Sequence, residues 1–334
     1  MAARHRISKL LIEWYVRGHR DLPWRRTADP YRIWISEIML QQTRAQAVIP
    51  YYERFLERFP TVQALAAARE EEVLALWSGL GYYSRARNLR TAAMAVSAAG
   101  EFPRDYNAIR ALPGTGDYTA AAVASIALGL PHAVVDGNVL RVVARVENDA
   151  SDIGSTRTRE RFRGIAQSWL DPREPGTFNQ ALMELGATVC LPRNPLCLVC
   201  PLSGVCAARE SGRAAELPVK LRKQEPVRIS GELLVIEKRG RILLRQREPE
   251  ASRMAGFWDL PAPADLPRVK PGARLGEIRH TITHHRYTLA VRRADAAGRL
   301  PAGFRWFAPA ELNSIPFSTT ARKALRLAGL VYKL

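Results

Sequence analysis

The sequence predicts a multidomain protein, an all-α domain followed by an α+β one, and three observations carry that expectation. Its 334 residues amount to about two domains at roughly 150 residues each. The first 210 residues carry Ala/Leu/Arg patterns of helical period, such as 62–77 and 119–129. Beyond about residue 228 the pattern turns to short alternating runs, Glu232 to Glu237 and Arg241 to Arg247, around a turn at Gly240. Charge divides at the same place: residues 1–213 hold 27 basic and 21 acidic side chains, a balance of +6, and residues 214–334 hold 23 and 11, a balance of +12. The domains are therefore expected at 1–213 and 228–334, joined by a linker at 214–227 where Pro218 and Pro226 punctuate a polar, basic stretch. The sequence contains no internal repeat and no low-complexity tract.

Composition narrows the function. Hydrophobic residues make up 47% and charged residues 25%, which excludes a disordered or fibrous chain. The net charge of +18 draws the protein towards polyanions, nucleic acid or an anionic membrane surface. No apolar run approaches the roughly 18 residues of a spanning helix. The N-terminal Leu10-Leu11-Ile12 is interrupted by Glu13 and followed by Arg17 and Arg20, unlike a signal peptide. A cytoplasmic location is expected, nucleoid-associated in a bacterial cell, with no membrane partner.

Taken in chain order, residues 33–48 read as a helix on which Glu37 shares a face with Ile33, Trp34 and Leu40. A carboxyl group in apolar surroundings has a raised pKa and suits a general acid, although a solvated glutamate at a helix edge reads the same way in isolation. Next, Leu112-Pro113-Gly114-Thr115-Gly116-Asp117-Tyr118 precedes a small-residue helix beginning near Thr119. Gly114 and Gly116 allow positive φ and close approach, so N–H groups there can grip a phosphate; a plain packing turn between helices is the alternative. Asp136, in Val134-Val135-Asp136-Gly137-Asn138, precedes the helical run 139–146 and reads first as an N-cap. A capping carboxylate at a helix N-terminus stays ionised and can also face a developing cation. Glu37 and Asp136, two carboxylates in unlike environments, are what cleavage through an oxocarbenium-like transition state asks for.

All four cysteines, Cys190, Cys197, Cys200 and Cys206, fall in one short window spaced C-x6-C-x2-C-x5-C. In a reducing compartment such clustering reads as metal ligation. A four-iron cluster fits better than structural zinc, whose ligands usually form two separated close pairs; zinc and buried thiols remain the alternatives.

Together these motifs resemble the MutY family of adenine DNA glycosylases, within the helix-hairpin-helix, iron-sulfur glycosylase superfamily. The resemblance rests on Asp21-Leu22-Pro23-Trp24-Arg25, Ser36-Glu37-Ile38-Met39-Leu40-Gln41-Gln42-Thr43 and Gly79-Leu80-Gly81-Tyr82-Tyr83. It continues through the hairpin, Val135-Asp136-Gly137-Asn138, the stretch from Phe178 through Glu184 to Gly186, and the cysteine loop. It implies a 4Fe-4S cluster on the four cysteines. It also implies that Glu37 protonates the adenine leaving group and then helps activate water, and that Asp136 stabilises the sugar cation or its adduct, with Asn138 and Tyr118 ordering the site. Trp24, Arg25, Leu40 and Gln180 would line the pocket for the flipped adenine, and Gln42 and Tyr82 would insert into the duplex. Endonuclease III, in the same superfamily, carries a lysine nucleophile within the hairpin segment. Tyr118 stands at the comparable position here, which implies a monofunctional enzyme.

The second domain is similar to the MutT/Nudix-like domain of that family, with Gly256-Phe257-Trp258-Asp259-Leu260-Pro261 as a landmark. The hydrolase signature is missing from 228–334, and the Arg69-Glu70-Glu71-Glu72 run lies in the first domain. The resemblance thus implies a reader of 8-oxoguanine that needs no magnesium. The family's Phe-Ser-His reading loop is here Ile282-Thr283-His284, which keeps a hydroxyl and loses an aromatic face. The expected partner is double-stranded DNA bearing A:8-oxoguanine or A:G mispairs, bound by a monomer. The rival readings are a pyrimidine-removing glycosylase and a non-catalytic, cluster-based DNA-binding sensor.

Overall fold

The computed structural model describes residues 2–221, 225–248, 250–251, 254–296 and 298–330. Among the described residues twelve α-helices come first: α1 (Ala2–Gly18), α2 (Pro30–Leu40), α3 (Ala45–Arg58), α4 (Val62–Ala67), α5 (Glu70–Trp77), α6 (Ser84–Ala99), α7 (Tyr106–Arg110), α8 (Asp117–Leu128), α9 (Gly137–Val146), α10 (Thr156–Trp169), α11 (Pro175–Thr188) and α12 (Ala207–Glu210). Seven strands and a last helix follow: β1 (Val227–Val235), β2 (Glu237–Lys238), β3 (Arg241–Gln246), β4 (Trp258–Asp259), β5 (Pro271–Ile282), β6 (His285–Ala294), β7 (Phe304–Phe307) and α13 (Thr319–Leu327). None of the described helices is long and apolar enough to cross a membrane.

The helix expected over 33–48 is two helices. α2 stops at Leu40 because Gln42 takes a left-handed backbone (φ 58°), and the Thr43 N–H closes back on the Leu40 carbonyl at 3.0 Å. The expected run 62–77 likewise breaks, at Ala68-Arg69. The Ala68 carbonyl leaves the helical ladder to accept from Arg90 Nε at 2.7 Å, and three glutamates at the start of α5 favour a new N-terminus there.

By internal contacts the chain forms two compact units, Met1–Ala66 with Thr91–Lys223, and Ala67–Arg90 with Gln224–Leu334. In the first, α9 is buried all round and packs against α10, α11 and α12, and its apolar side chains join Leu11, Phe162 and Phe178 in one core. Gly186 is required here: a Cβ on it would lie 2.6 Å from Asn138 Cβ, so glycine lets α11 approach the start of α9. α7 and α8 form the expected hairpin. Gly114 uses its freedom at φ 76°, whereas Gly116 is extended at φ −89° and caps α8, so only the first glycine needs positive φ. Part of the stretch read as a linker is pinned to this unit, since the Leu217 and Val219 carbonyls accept from Arg145 Nε and the Ile153 N–H, both at 3.0 Å.

The second unit is α+β. β1 pairs parallel with β6 and β6 antiparallel with β5; β3 pairs antiparallel with β2, β4 and β7. α13 covers the sheet through Ala321, Ala324 and Leu325, packed with Leu233, Ile242, Val291 and Phe317. Residues 67–90 cluster with it because Tyr83 packs on Phe257 at 4.0 Å between ring centroids and the Ser78 hydroxyl donates to the Phe317 carbonyl at 2.8 Å.

Candidate active site

A cavity of about 700 Å³ in the first unit is where many of the sequence-predicted residues meet: Trp24, Arg25, Glu37, Leu40, Gln42, Tyr118, Asp136, Asn138 and Gln180 all line it. Each arrives from its own element. A 3-10 turn started by Pro23 presents Trp24 and Arg25, α2 carries Glu37 and Leu40, α8 carries Tyr118, the cap of α9 supplies Asp136 and Asn138, and α11 supplies Gln180.

Glu37 is only 3% exposed because α2 is buried on every side, between residues such as Ile33, Trp34 and Ile38. Burial pushes its carboxyl group up to about 7. The Tyr118 hydroxyl, donating to Oε2 at 2.8 Å, pulls it down; the nearby Asp136 charge pushes it up and Arg25 pulls it down. The phenol of Tyr118 is itself held well above its usual value, by burial first and by Glu37 next, so it is a donor at neutral pH. α2 and α8 are registered by two further bonds, Trp34 Nε1 to Thr115 Oγ1 at 3.3 Å and Gln41 Nε2 to Thr119 Oγ1 at 3.1 Å.

Asp136 does cap α9, as its position before a helix predicts: Oδ1 accepts from the Val139 N–H at 2.7 Å and Oδ2 from Asn138 Nδ2 at 2.9 Å. Burial raises its pKa, and these bonds, with the Arg141 charge, pull it back. Asn138 Oδ1 in turn accepts from Arg141 Nη2 at 2.9 Å, while Arg141 also donates to the carbonyls of Gly186 and Cys190, both at 2.7 Å. The acid's support thus runs through α9 to the cysteine loop.

Sequence reasoning missed the opposite wall. Glu184 is 2% exposed and accepts from Arg20 (2.8 and 2.7 Å) and from Arg25 (2.7 Å). Burial alone would raise its pKa, but the Arg20 and Arg25 bonds outweigh it and bring it down to about 2. Arg25 also lies over the Tyr15 ring at 5.3 Å, and the Tyr15 hydroxyl donates to Gln180 Oε1 at 3.1 Å. Glu184 was visible as an acid one turn after Gln180 on an otherwise uncharged helix; Arg20 gave no such signal.

The other predicted residues lie elsewhere. Gly114 and Gly116 are exposed at the α7–α8 turn. Tyr82, in the second unit, has φ 49°, left-handed like Gln42. Ile282 ends β5, and Thr283 and His284 form the two-residue β5–β6 turn; Thr283 is exposed at φ 53°, its hydroxyl donating to the Ile282 carbonyl at 2.7 Å. The four cysteines are free and half-buried. Burial pushes the Cys200 thiol up to about 11, and Cys190, Cys206 and Cys197 add to the push. Yet no group of three or more metal-ligating side chains among the described residues closes on a single ion. Arg145, buried, donates to Cys190 Sγ at 3.2 Å and to the Leu191 carbonyl at 2.7 Å, which fixes one end of that loop.

The chain is similar to known DNA repair proteins. Residues 35–167 match the HhH-GPD superfamily of base excision DNA repair proteins, 190–206 the iron-sulfur binding domain of endonuclease III, and 232–327 the NUDIX domain. The human adenine DNA glycosylase is 36% identical over 95% of this chain and 73% of its own length. The chain belongs to the adenine DNA glycosylase family. The mouse adenine DNA glycosylase is equally similar, 36% identical over 95% of this chain and 76% of its own. Among solved structures, a thermostable thymine-DNA glycosylase shares 30% identity at a TM-score of 0.56, over 63% of this chain and 98% of its own. An endonuclease III in a DNA complex shares the fold at a TM-score of 0.52, with 24% identity over 61% and 94% of the two chains. As an adenine DNA glycosylase the protein is a DNA-binding hydrolase of N-glycosyl bonds acting in base-excision repair and an iron-sulfur protein; Cys190, Cys197, Cys200 and Cys206 lie in the matched cluster loop and would hold the 4Fe-4S cluster. Bound there, a cluster would tie the four thiolates of the loop to one another.

Proposed function

We propose that this enzyme removes adenine mispaired with 8-oxoguanine or guanine, leaving an abasic site, and that Glu37 is the general acid. The observation that carries the reading is the burial of Glu37 in the cavity that Asp136 also lines, with its Oε2 bonded to Tyr118 and its carboxyl group pushed up to about 7 by that burial. Near neutrality a substantial fraction of Glu37 is protonated. Because Tyr118 donates to Oε2, the proton of that acid sits on Oε1, free to pass to the departing base. As the glycosidic bond breaks, positive charge grows on the sugar, and Asp136, whose ionised form is favoured by the Val139 and Asn138 N–H bonds, faces it. Glu37, now a carboxylate, accepts a proton from the attacking water. Tyr118 cannot form a Schiff base, so no strand cleavage accompanies base release.

Gln42 and Tyr82 fill the gap left by the flipped nucleotide, and both occupy the left-handed backbone that side chains rarely adopt. Thr283, at an exposed turn, offers its hydroxyl to the opposite base. The protein acts as a monomer in the cytoplasm.

Single-turnover base release from short duplexes with adenine opposite 8-oxoguanine, guanine or thymine tests the reading. Release fastest opposite 8-oxoguanine, and abolished by Glu37→Gln with DNA still bound, is the expected result. Release of a pyrimidine, or none, would overturn it.

A further inference from the structure

The corner between α5 and α6 turns on an unusual sequence of backbone conformations. Gly79 (φ 114°), Gly81 (φ 72°) and Tyr82 (φ 49°) are all left-handed, and the last carries a side chain that disfavours this state. Such a residue persists only where its surroundings over-determine it. At this corner they do so largely through Arg85, the second residue of α6 and only 8% exposed. Its guanidinium lies between two aromatic rings, 5.4 Å from that of Trp77 and 5.5 Å from that of Tyr82. Its Nη2 also donates to the carbonyls of Leu80 (3.3 Å) and Gly81 (3.2 Å), and the Gly81 carbonyl takes a second bond from Trp77 Nε1 at 3.2 Å. Burial lowers the Arg85 pKa only to about 10, so the group remains a cation at neutral pH. A planar cation that both stacks and donates has the shape this corner needs; an ammonium cannot reproduce it.

We infer that Arg85 is a positioning residue that presets Tyr82: stacked on its ring and bonded to the two carbonyls before it, Arg85 holds the left-handed corner in the conformation in which Tyr82 meets the duplex. The inference rests on the proposed insertion of Tyr82. Arg85 acts before DNA arrives, so that binding need not order the corner, and its effect on base release passes through Tyr82 alone.

A double-mutant cycle separates this from general structural support. Tyr82→Leu, Arg85→Met and the double variant are compared by single-turnover base release on a duplex with adenine opposite 8-oxoguanine. The cluster's visible absorption and the melting temperature serve as folding controls. A misplaced group far from the chemistry can cost up to about a hundredfold, and roughly a tenfold loss is expected for each single change. The double variant should then be about tenfold slower than wild type and no worse than Tyr82→Leu. Arg85→Lys, which keeps the charge and most of the stem, supplies a second cycle should Arg85→Met fail to fold, with the same non-additivity expected. A double variant slower by about a hundredfold, the product of the single losses, would overturn the role of Arg85 while leaving the insertion of Tyr82 intact. Tyr82→Leu with wild-type kinetics would overturn both.

Discussion

Glu37 and Glu184 line the same cavity and are both almost hidden from solvent, yet only Glu184 is held in one charge state near neutral pH. On the Glu37 wall, apolar packing within α2 and a neutral phenol leave burial dominant, and the carboxyl group titrates near 7. On the Glu184 wall, two arginines meet the carboxylate, and it titrates near 2. Burial therefore does not assign a role to an acid; the charges and donors that come with it do. One wall can exchange a proton at neutral pH, while the other is a fixed ionic frame that holds Arg25 against the cavity.

The sharpest break in this comparison is kinetic. Glu37→Gln should cost roughly 10²–10⁴-fold or more in single-turnover base release, the range for loss of a general acid, while a binding titration shows DNA affinity largely retained. Glu184→Gln should act differently. Removing one partner from a buried ionic cluster costs about 3–5 kcal/mol, read as a lower midpoint in chemical unfolding, and base release falls because Arg25 loses its anchor.

Stability against pH separates the walls again, with opposite signs. Native Glu37 keeps its proton up to about 7, whereas the unfolded chain loses it near 4.5, so the native state binds more protons between these values and loses stability as pH rises through them. Glu37→Gln removes that loss and should gain on wild type by up to about 3 kcal/mol between pH 4.5 and 8, at about 1.4 kcal/mol per pH unit. Glu184, depressed to about 2, contributes stability that is complete above 4.5 and is lost as pH falls towards 2, a loss that Glu184→Gln should not show. Equal slopes in wild type and both variants would erase the distinction.

A smaller effect sharpens it. The Tyr118 hydroxyl lowers the Glu37 pKa, so Tyr118→Phe should move the alkaline limb of the pH–rate profile upward, by about one pH unit or less for a single hydrogen bond. A downward move would show that the bond favours the protonated acid instead. The smallest effect lies in the second unit. Thr283→Ala should narrow the preference for 8-oxoguanine over guanine by a few-fold, about the worth of one exposed hydrogen bond, with little change in the rate opposite guanine.

The sequence by itself determined the inventory. Local cues sufficed for a helical part followed by a strand-rich one, the α7–α8 hairpin, the capping of α9 by Asp136 and the four-cysteine loop, because turns, caps and periodicity are encoded within a few residues of where they act. Gly186, one of the residues that carry the family resemblance, has its physical reason only in space, where α11 comes within a side chain's width of Asn138. The tertiary structure alone decided the break at Gln42, the contacts that gather residues 67–90 with the strand-rich unit, and the ionic wall of Arg20, Arg25 and Glu184. The last two depend on partners far away in the chain: Arg20 and Glu184 are separated by 164 positions, and no local pattern reports which charge a buried carboxylate will meet. Pairing and burial are set when distant elements pack, and for this protein they decide which of two similar glutamates can give up a proton.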